Sequence, residues 1–245
     1  MAKVLIQKGR EKRIEAGHPW IYDNEISNIE GSYENGDIVD IYNWKNKFIG
    51  KGYINNNSKI RVRILTRQKE EINKDFFRKR ILNAWEYRKM VVDTRSCRVI
   101  FGEADFIPGL IVDKFGDYLS LQTLSLGIEK YKNTIVDILD EVLEPKGIYE
   151  RNDVQVRELE GLEQKKGFLK GPFDTKIEIL ENEIKMLVDI ENGQKTGYFL
   201  DQRENRAALK PFVKGVRVLD AFSHTGGFAL HAAYYGAREV TAVDI

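Results

Sequence analysis

Two carboxylates lie 24 positions apart near the C-terminal end, Asp220 and Asp244, and the segment between them holds Phe222, Ser223, His224, Thr225, Gly226, Gly227 and Phe228. Apolar residues from Val216 to Leu219 read as a buried strand, and Gly226 and Gly227 as a tight turn. Phe228 to Tyr235 reads as a helix, and Val240 to Val243 as a second strand that ends in an acid. In a β-α-β unit of this kind the glycines let the backbone approach a ligand, and an acid at the tip of the second strand can accept hydrogen bonds from two ribose hydroxyls. A dinucleotide site would want G-x-G-x-x-G, which leaves room for a pyrophosphate at the helix N-terminus. Asp220 would repel a pyrophosphate but suits an ammonium group. The ligand that fits is S-adenosylmethionine, which carries ammonium, carboxylate, ribose and adenine and no phosphate. A strand, turn and helix without a ligand is the alternative, and the spacing of the two acids argues against it.

Just upstream, Lys195, Thr196, Gly197, Tyr198 and Phe199 precede Asp201, which can cap a helix containing Gln202, Arg203 and Arg206. A carboxylate favours free N–H groups and a nearby Lys or Arg, so the loop after Gly193 can serve as a lid on the cofactor. A plain linker with Tyr198 and Phe199 as hydrophobic staples is the other reading. A doubly wound sheet needs more strands than the two found here. The expectation is therefore a fragment, with any catalytic group beyond Ile245.

The elements that must position this unit divide the chain into three. Residues 1–72 hold strands at Val4 to Ile6, Asp37 to Asn43, Phe48 to Ile54 and Ile60 to Leu65, which describe a small β-barrel-like domain. Residues 73–190 open on an Asn73 cap and a helix with Phe76, Phe77, Ile81, Leu82 and Trp85 at helical spacing. Strands at Val99 to Phe101, Leu110 to Asp113 and Tyr118 to Thr123, a helix over Ile128 to Leu143, a strand at Ile148 to Glu150 and a hairpin turning at Glu181 and Asn182 complete an α+β domain. Residues 191–245 are the start of a Rossmann-like domain. The fold class is thus α/β and α+β, in several domains.

With 245 residues and 42% hydrophobic content the chain can bury sizeable cores. At 31% charged residues, with no apolar run of about 18 and no apolar signal core, it reads as cytoplasmic and without a membrane partner. One cysteine excludes an internal disulfide, and three histidines without ligand spacing predict no metal site. A net charge of +1 means that RNA binding must come from a local patch. Lys8, Arg10 and Arg13 crowd around Gly9, and alternation puts Arg61 and Arg63 on one face of a strand whose other face holds Ile60, Val62 and Ile64. That face can meet phosphates, or can be a solvated surface. His18 could touch a phosphate or cap a carbonyl; Trp20, after Pro19, could stack on a base or plug a core.

Several of these motifs, taken together and in order, resemble a known family. They are Lys8-Gly9-Arg10, Gly17-His18-Pro19-Trp20, Arg98-x5-Asp105-x2-Pro108-Gly109-Leu110-Ile111-Val112-Asp113, Ile148-Tyr149-Glu150-Arg151, Gly193 to Arg206, and the Asp220-x-Phe222-x2-Thr225-Gly226-Gly227-Phe228 turn. The chain is similar along essentially its whole length to the class I, S-adenosylmethionine-dependent large-subunit ribosomal RNA methyltransferases that carry an N-terminal PUA domain and form 5-methylcytosine. The resemblance implies ribosomal RNA as partner and a PUA domain that contacts it through Lys8, Arg10, Arg13, His18, Trp20, Arg61 and Arg63. It also implies a cofactor site of Lys195, Thr196, Tyr198, Phe199, Arg203, Asp220, Phe222, Ser223, His224, Thr225, Gly226, Gly227, Phe228, Asp244 and Ile245. The family's nucleophilic cysteine follows an Asp-Pro-Pro motif, and both would lie past Ile245, so no catalytic residue is expected here and Cys97 has no matching role. An RNA-binding module without catalysis, an enzyme acting on a base nitrogen, and association into a homodimer stay open.

Overall fold

The computed structural model describes residues 1–245. Its first sheet has the order β2-β6-β5-β4-β1-β3, from β1 (Lys3–Ile6), β2 (Trp20–Ile21), β3 (Ile26–Glu30), β4 (Ile38–Tyr42), β5 (Phe48–Ile54) and β6 (Val62–Thr66), with α1 (Glu11–Glu15) after β1. Val4, Ile6, Ile14, Ile21, Val39, Ile41, Ile54 and Val62 form its core. The expected strands are present. The sequence reading lacked β2, which is two residues long, and β3, whose Ile-Ser-Asn-Ile-Glu is too polar to stand out.

The alternation in β6 does not leave a solvated face. All five of its residues are buried, because the central domain covers the side opposite the barrel core. Arg63 is only 8% exposed and forms an ion pair of 2.8 Å with Glu160, which also accepts from Asn55 and Ser58. A buried guanidinium needs such a partner to offset its desolvation. Arg63 is thus a joint between domains and not a phosphate contact.

The central sheet runs β11-β10-β9-β8-β7. It comprises β7 (Ser96–Phe101), β8 (Leu110–Phe115), β9 (Tyr118–Thr123), β10 (Gly147–Asn152) and β11 (Lys165–Lys170). The first three form an antiparallel meander, and β10 lies parallel to β9. Helix α2 (Lys74–Val91) packs on it through Phe76, Phe77, Ile81 and Ala84, while Leu82 turns outward. The Asn73 side chain accepts from the Phe76 N–H at 3.1 Å, as a cap should. The crossover is two helices, α3 (Leu126–Lys130) and α4 (Lys132–Leu143), where the sequence predicts one.

Tyr53 of β5 and Leu65 of β6 belong to the core of the central domain, so the two domains share apolar packing. The Tyr53 hydroxyl lies 2.8 Å from both the Pro108 carbonyl and Ser125 Oγ, and its ring lies against Gly127.

The hairpin of β12 (Lys176–Glu181) and β13 (Ile184–Asp189) turns at Asn182 and Glu183, both with positive φ. Its inner face packs with Phe115, Tyr149, Tyr198 and Leu200. Helices α5 (Arg203–Ala207) and α6 (Lys210–Val213) lead to β14 (Arg217–Ala221), α7 (Gly227–Tyr234) and β15 (Glu239–Val243). β14 and β15 are parallel neighbours, the β-α-β unit anticipated from the sequence. Within this two-stranded sheet β14 is half-buried at best, and Leu219 is 68% exposed. Two strands and one helix offer too little surface to cover both faces.

A Cβ at Gly127 would lie 2.0 Å from Tyr53 Cγ. Gly127→Ala should therefore lower stability by about 1–3 kcal/mol through overpacking, seen as an earlier urea midpoint; an unchanged midpoint would contradict the shared core.

Candidate functional site

The pocket belongs to the β-α-β unit and the loop before it. Tyr198, Phe199, Gln194 and Gln202 form one side; Phe222, Ser223, His224 and Thr225 form the other; Asp244 and Ile245 close one end. Its volume is about 380 Å³, within the usual range for a small-molecule site. Phe222 and His224 have φ of 63° and 51°, and Gly226 follows at 75°. Left-handed backbone at a phenylalanine is uncommon and costs energy. It folds the turn so that the amides of Gly227 and Phe228 open the helix, where no intrahelical acceptor exists for them.

Asp220 and Asp244 divide the work unevenly. The Asp220 carboxylate accepts from the Ala229 N–H at 2.9 Å and so caps α7 from the preceding strand. Its other oxygen has no hydrogen-bond partner within the chain. Asp244 lines the pocket. One of its oxygens accepts from the His224 N–H at 2.5 Å and the other from the Ile245 N–H at 2.9 Å. A carboxylate offers about four acceptor positions, so about two remain for a ligand.

Beneath the pocket lies a buried acid from the hairpin turn. Glu181, at the tip of β12, is buried, and its Oε1 is 2.7 Å from Arg206 Nη1 and 3.1 Å from the Tyr198 hydroxyl. Arg206 donates on to the Phe199 carbonyl at 3.0 Å and lies 4.4 Å over the Tyr198 ring. A Cβ at Gly227 would come within 2.8 Å of Arg206 Nε, so the glycine is needed where α7 meets this cluster. His231, also buried, lies 2.7 Å from the Gly227 carbonyl through Nδ1 and 3.1 Å from Asn182 Nδ2 through Nε2. An amide N–H can only donate, so Nε2 accepts and the imidazole is neutral with its proton on Nδ1. Burial lowers the His231 pKa, with the Gly227 carbonyl and Glu181 opposing it.

Other predicted residues sit elsewhere. Thr196 is buried below the loop and donates to Asp113 at 2.5 Å, and Asp113 also holds Arg98 at 2.8 Å. Lys195 is exposed, with its ammonium 4.3 Å over the Phe199 ring. Arg203 turns away from the pocket to the Ser96 and Asp93 carbonyls, tying α5 to the central sheet. Asp201 caps no helix: Gln202 is the residue before α5 and no side chain caps it. Gln194, Gln202 and Arg206 line the pocket and were not among the predicted site residues.

On the first domain, Lys8 and Arg10 are exposed, consistent with either a phosphate contact or a solvated surface. Arg13 is held by Glu25 at 2.6 Å and Arg61 by Asp23 at 2.7 Å. His18 accepts the Trp20 N–H through Nδ1 at 3.1 Å, and Trp20 Nε1 donates to Glu103 at 2.7 Å. Trp20 thus ties β2 to the central domain and is not a free platform for a base. Cys97 is buried, which pushes its thiol up to about 11.

Residues 4–67 match the family model of the PUA-like domain, and residues 163–245 match that of S-adenosylmethionine-dependent methyltransferases. The chain joins a PUA-like domain to a methyltransferase-type fold. It is 40% identical over 248 aligned residues to the protein named ribosomal RNA large subunit methyltransferase I of Vibrio vulnificus strain CMCP6, covering 100% of this chain and 62% of that one. The protein of that name in Aeromonas salmonicida strain A449 is 40% identical over 247 residues, with 99% and 62% covered. The chain therefore spans 62% of the length of these curated relatives. Among solved structures, a candidate S-adenosylmethionine-dependent methyltransferase from Streptococcus mutans superposes with a TM-score of 0.83 at 25% identity, covering 100% of this chain and 63% of that one. A candidate methyltransferase solved in complex with SAH gives 0.85 at 25% identity, with the same coverage.

The neutral, buried His231 makes stability depend on pH. Its folded pKa lies below the unfolded value of 6.5, so the unfolded chain binds the proton first and stability falls as pH drops below about 6.5. His231→Gln should flatten the urea midpoint between pH 7.5 and pH 5.5 relative to wild type; an equal pH dependence in both proteins would contradict this.

Proposed function

We propose that the protein carrying this chain transfers a methyl group from S-adenosylmethionine to C5 of a cytosine in large-subunit ribosomal RNA. What supports the cofactor is the pocket itself. The free amides of Gly227 and Phe228 suit the methionine carboxylate, and Asp244 offers acceptor positions for the ribose hydroxyls. Phe199 and Phe222 provide apolar surface for the adenine. The cofactor, when bound, supplies an electrophilic sulfonium methyl; the chain's own residues bind it, orient it and hold the turn in its left-handed form. Ribosomal RNA as substrate rests on the names of the relatives and on the PUA-like domain.

The C5 target rests on the sequence resemblance alone, and it requires a thiolate to attack C6 of an unstacked base. Cys97 is unsuited to that task, being buried with a raised pKa. The reading places the protein in the cytoplasm, and a homodimer remains part of it, to be checked by sedimentation velocity.

Asp244→Ala in the complete protein should weaken S-adenosylhomocysteine binding at least about tenfold, as befits the loss of charge-assisted hydrogen bonds, when titrated by calorimetry. An unchanged dissociation constant would remove Asp244 from the site. Bisulfite mapping of RNA methylated by the complete protein tests the target atom: protected cytosines support C5, and methylation without protection contradicts it.

A further inference from the structure

The strand face expected to meet RNA is consumed by ion pairs, yet three cations elsewhere have no carboxylate bonded to them. Arg67 leaves the end of β6, and Lys79 and Arg80 lie on the facing side of α2. The three line one hollow of about 360 Å³ between the PUA-like domain and the central domain. Arg67 donates to the His18 carbonyl at 3.2 Å, and Arg80 donates to the Phe106 carbonyl. Lys79 is exposed and free of any ion pair. The one acid on the wall is Glu70, held by the Thr66 hydroxyl.

The hollow also has an aromatic wall. Phe106 is 70% exposed and adopts a φ of 60°. An apolar ring in solvent on left-handed backbone gains nothing for the fold, and such costs concentrate at functional positions. Arg80 lies 5.9 Å from this ring and 4.1 Å from that of Phe76. Positive charge beside an open aromatic face is the chemistry that holds unpaired nucleotides, with phosphates on the cations and a base stacked on the ring.

Two further hollows lie beside it, separated by the ion pair of Arg88 with Asp105. The first hollow shares Arg80, Asn83 and Phe106 with the second, and that one shares Arg88 with the third. The far wall of the third includes Leu200, Asp201, Arg203 and Glu204. Gln202, within that segment, faces the cofactor pocket. Phe101, 52% exposed, provides a second ring in the third hollow.

We propose that the hollow lined by Arg67, Lys79, Arg80 and Phe106 seats an unpaired stretch of RNA, with phosphates on the three cations and a base on the ring. The proposal rests on the reading of RNA as substrate given above and names the surface that would hold it.

The test is fluorescence anisotropy of a labelled single-stranded oligouridylate and of deproteinised large-subunit ribosomal RNA, over a range of salt. Wild type is compared with Phe106→Ala, Phe106→Gly and Lys79→Ala, each required to keep the wild-type thermal midpoint; glycine suits the left-handed backbone and guards against a folding defect in the alanine variant. Loss of the stacked ring should weaken oligouridylate binding about tenfold. Lys79→Ala should reduce the slope of log K against log salt by about 0.7, the value of one phosphate on a single strand. If wild type binds RNA and all three variants bind it equally with the same slope, the groove is overturned while the RNA reading stands. If wild type binds neither RNA, the RNA reading fails and the groove with it.

Discussion

The buried carboxylate of Glu181 is the contact on which the rest of the site depends. It sits at the end of a hairpin belonging to the central part of the chain, yet its partners are Arg206 and Tyr198 of the following loop, with His231 of α7 at 3.7 Å. A charge in that position must be paired, because leaving either partner alone costs several kcal/mol, of order 3–5. The ion pair therefore fixes where Arg206 lies, and Arg206 fixes the Phe199 carbonyl and the close approach of Gly227. Both sides of the pocket are thus referred to one oxygen.

A similar device joins the other parts. Glu160 receives Arg63, Asn55 and Ser58 from the PUA-like sheet, and Asp113 receives Arg98 and Thr196. Tyr53 adds apolar contact to the first of these seams. Each seam is a buried acid with several donors, and directional bonds of this kind specify relative orientation more closely than apolar packing does. The basic hollow at the first seam and the pocket at the last are consequently held in a set relation to each other.

The sequence shows regular elements well and partners poorly. The strand over Phe48 to Ile54 and the helix capped by Asn73 were legible because their periodicity and capping chemistry are local. The alternation of Arg61 and Arg63 revealed a strand but not that both of its faces are covered, since coverage is decided by residues near Glu160. The bond from the Ala229 N–H to Asp220 is not legible in the sequence, because a carboxylate that caps a helix and one that holds a ligand look alike at the end of a strand. Arg203 and Arg206 are three positions apart and looked equivalent, yet one faces the central sheet and the other the pocket. Glu181 was read only as part of a turn, because its partners Tyr198 and Arg206 lie 17 and 25 positions downstream.

Amide hydrogen exchange on Glu181→Gln tests whether this carboxylate holds the pocket, because the substitution keeps the shape of the side chain and removes its charge. Exchange should be faster over residues 194–206 and 224–231, with the strands β7 to β10 unchanged. Wild-type protection in both segments would show that the pocket is held by something other than this carboxylate.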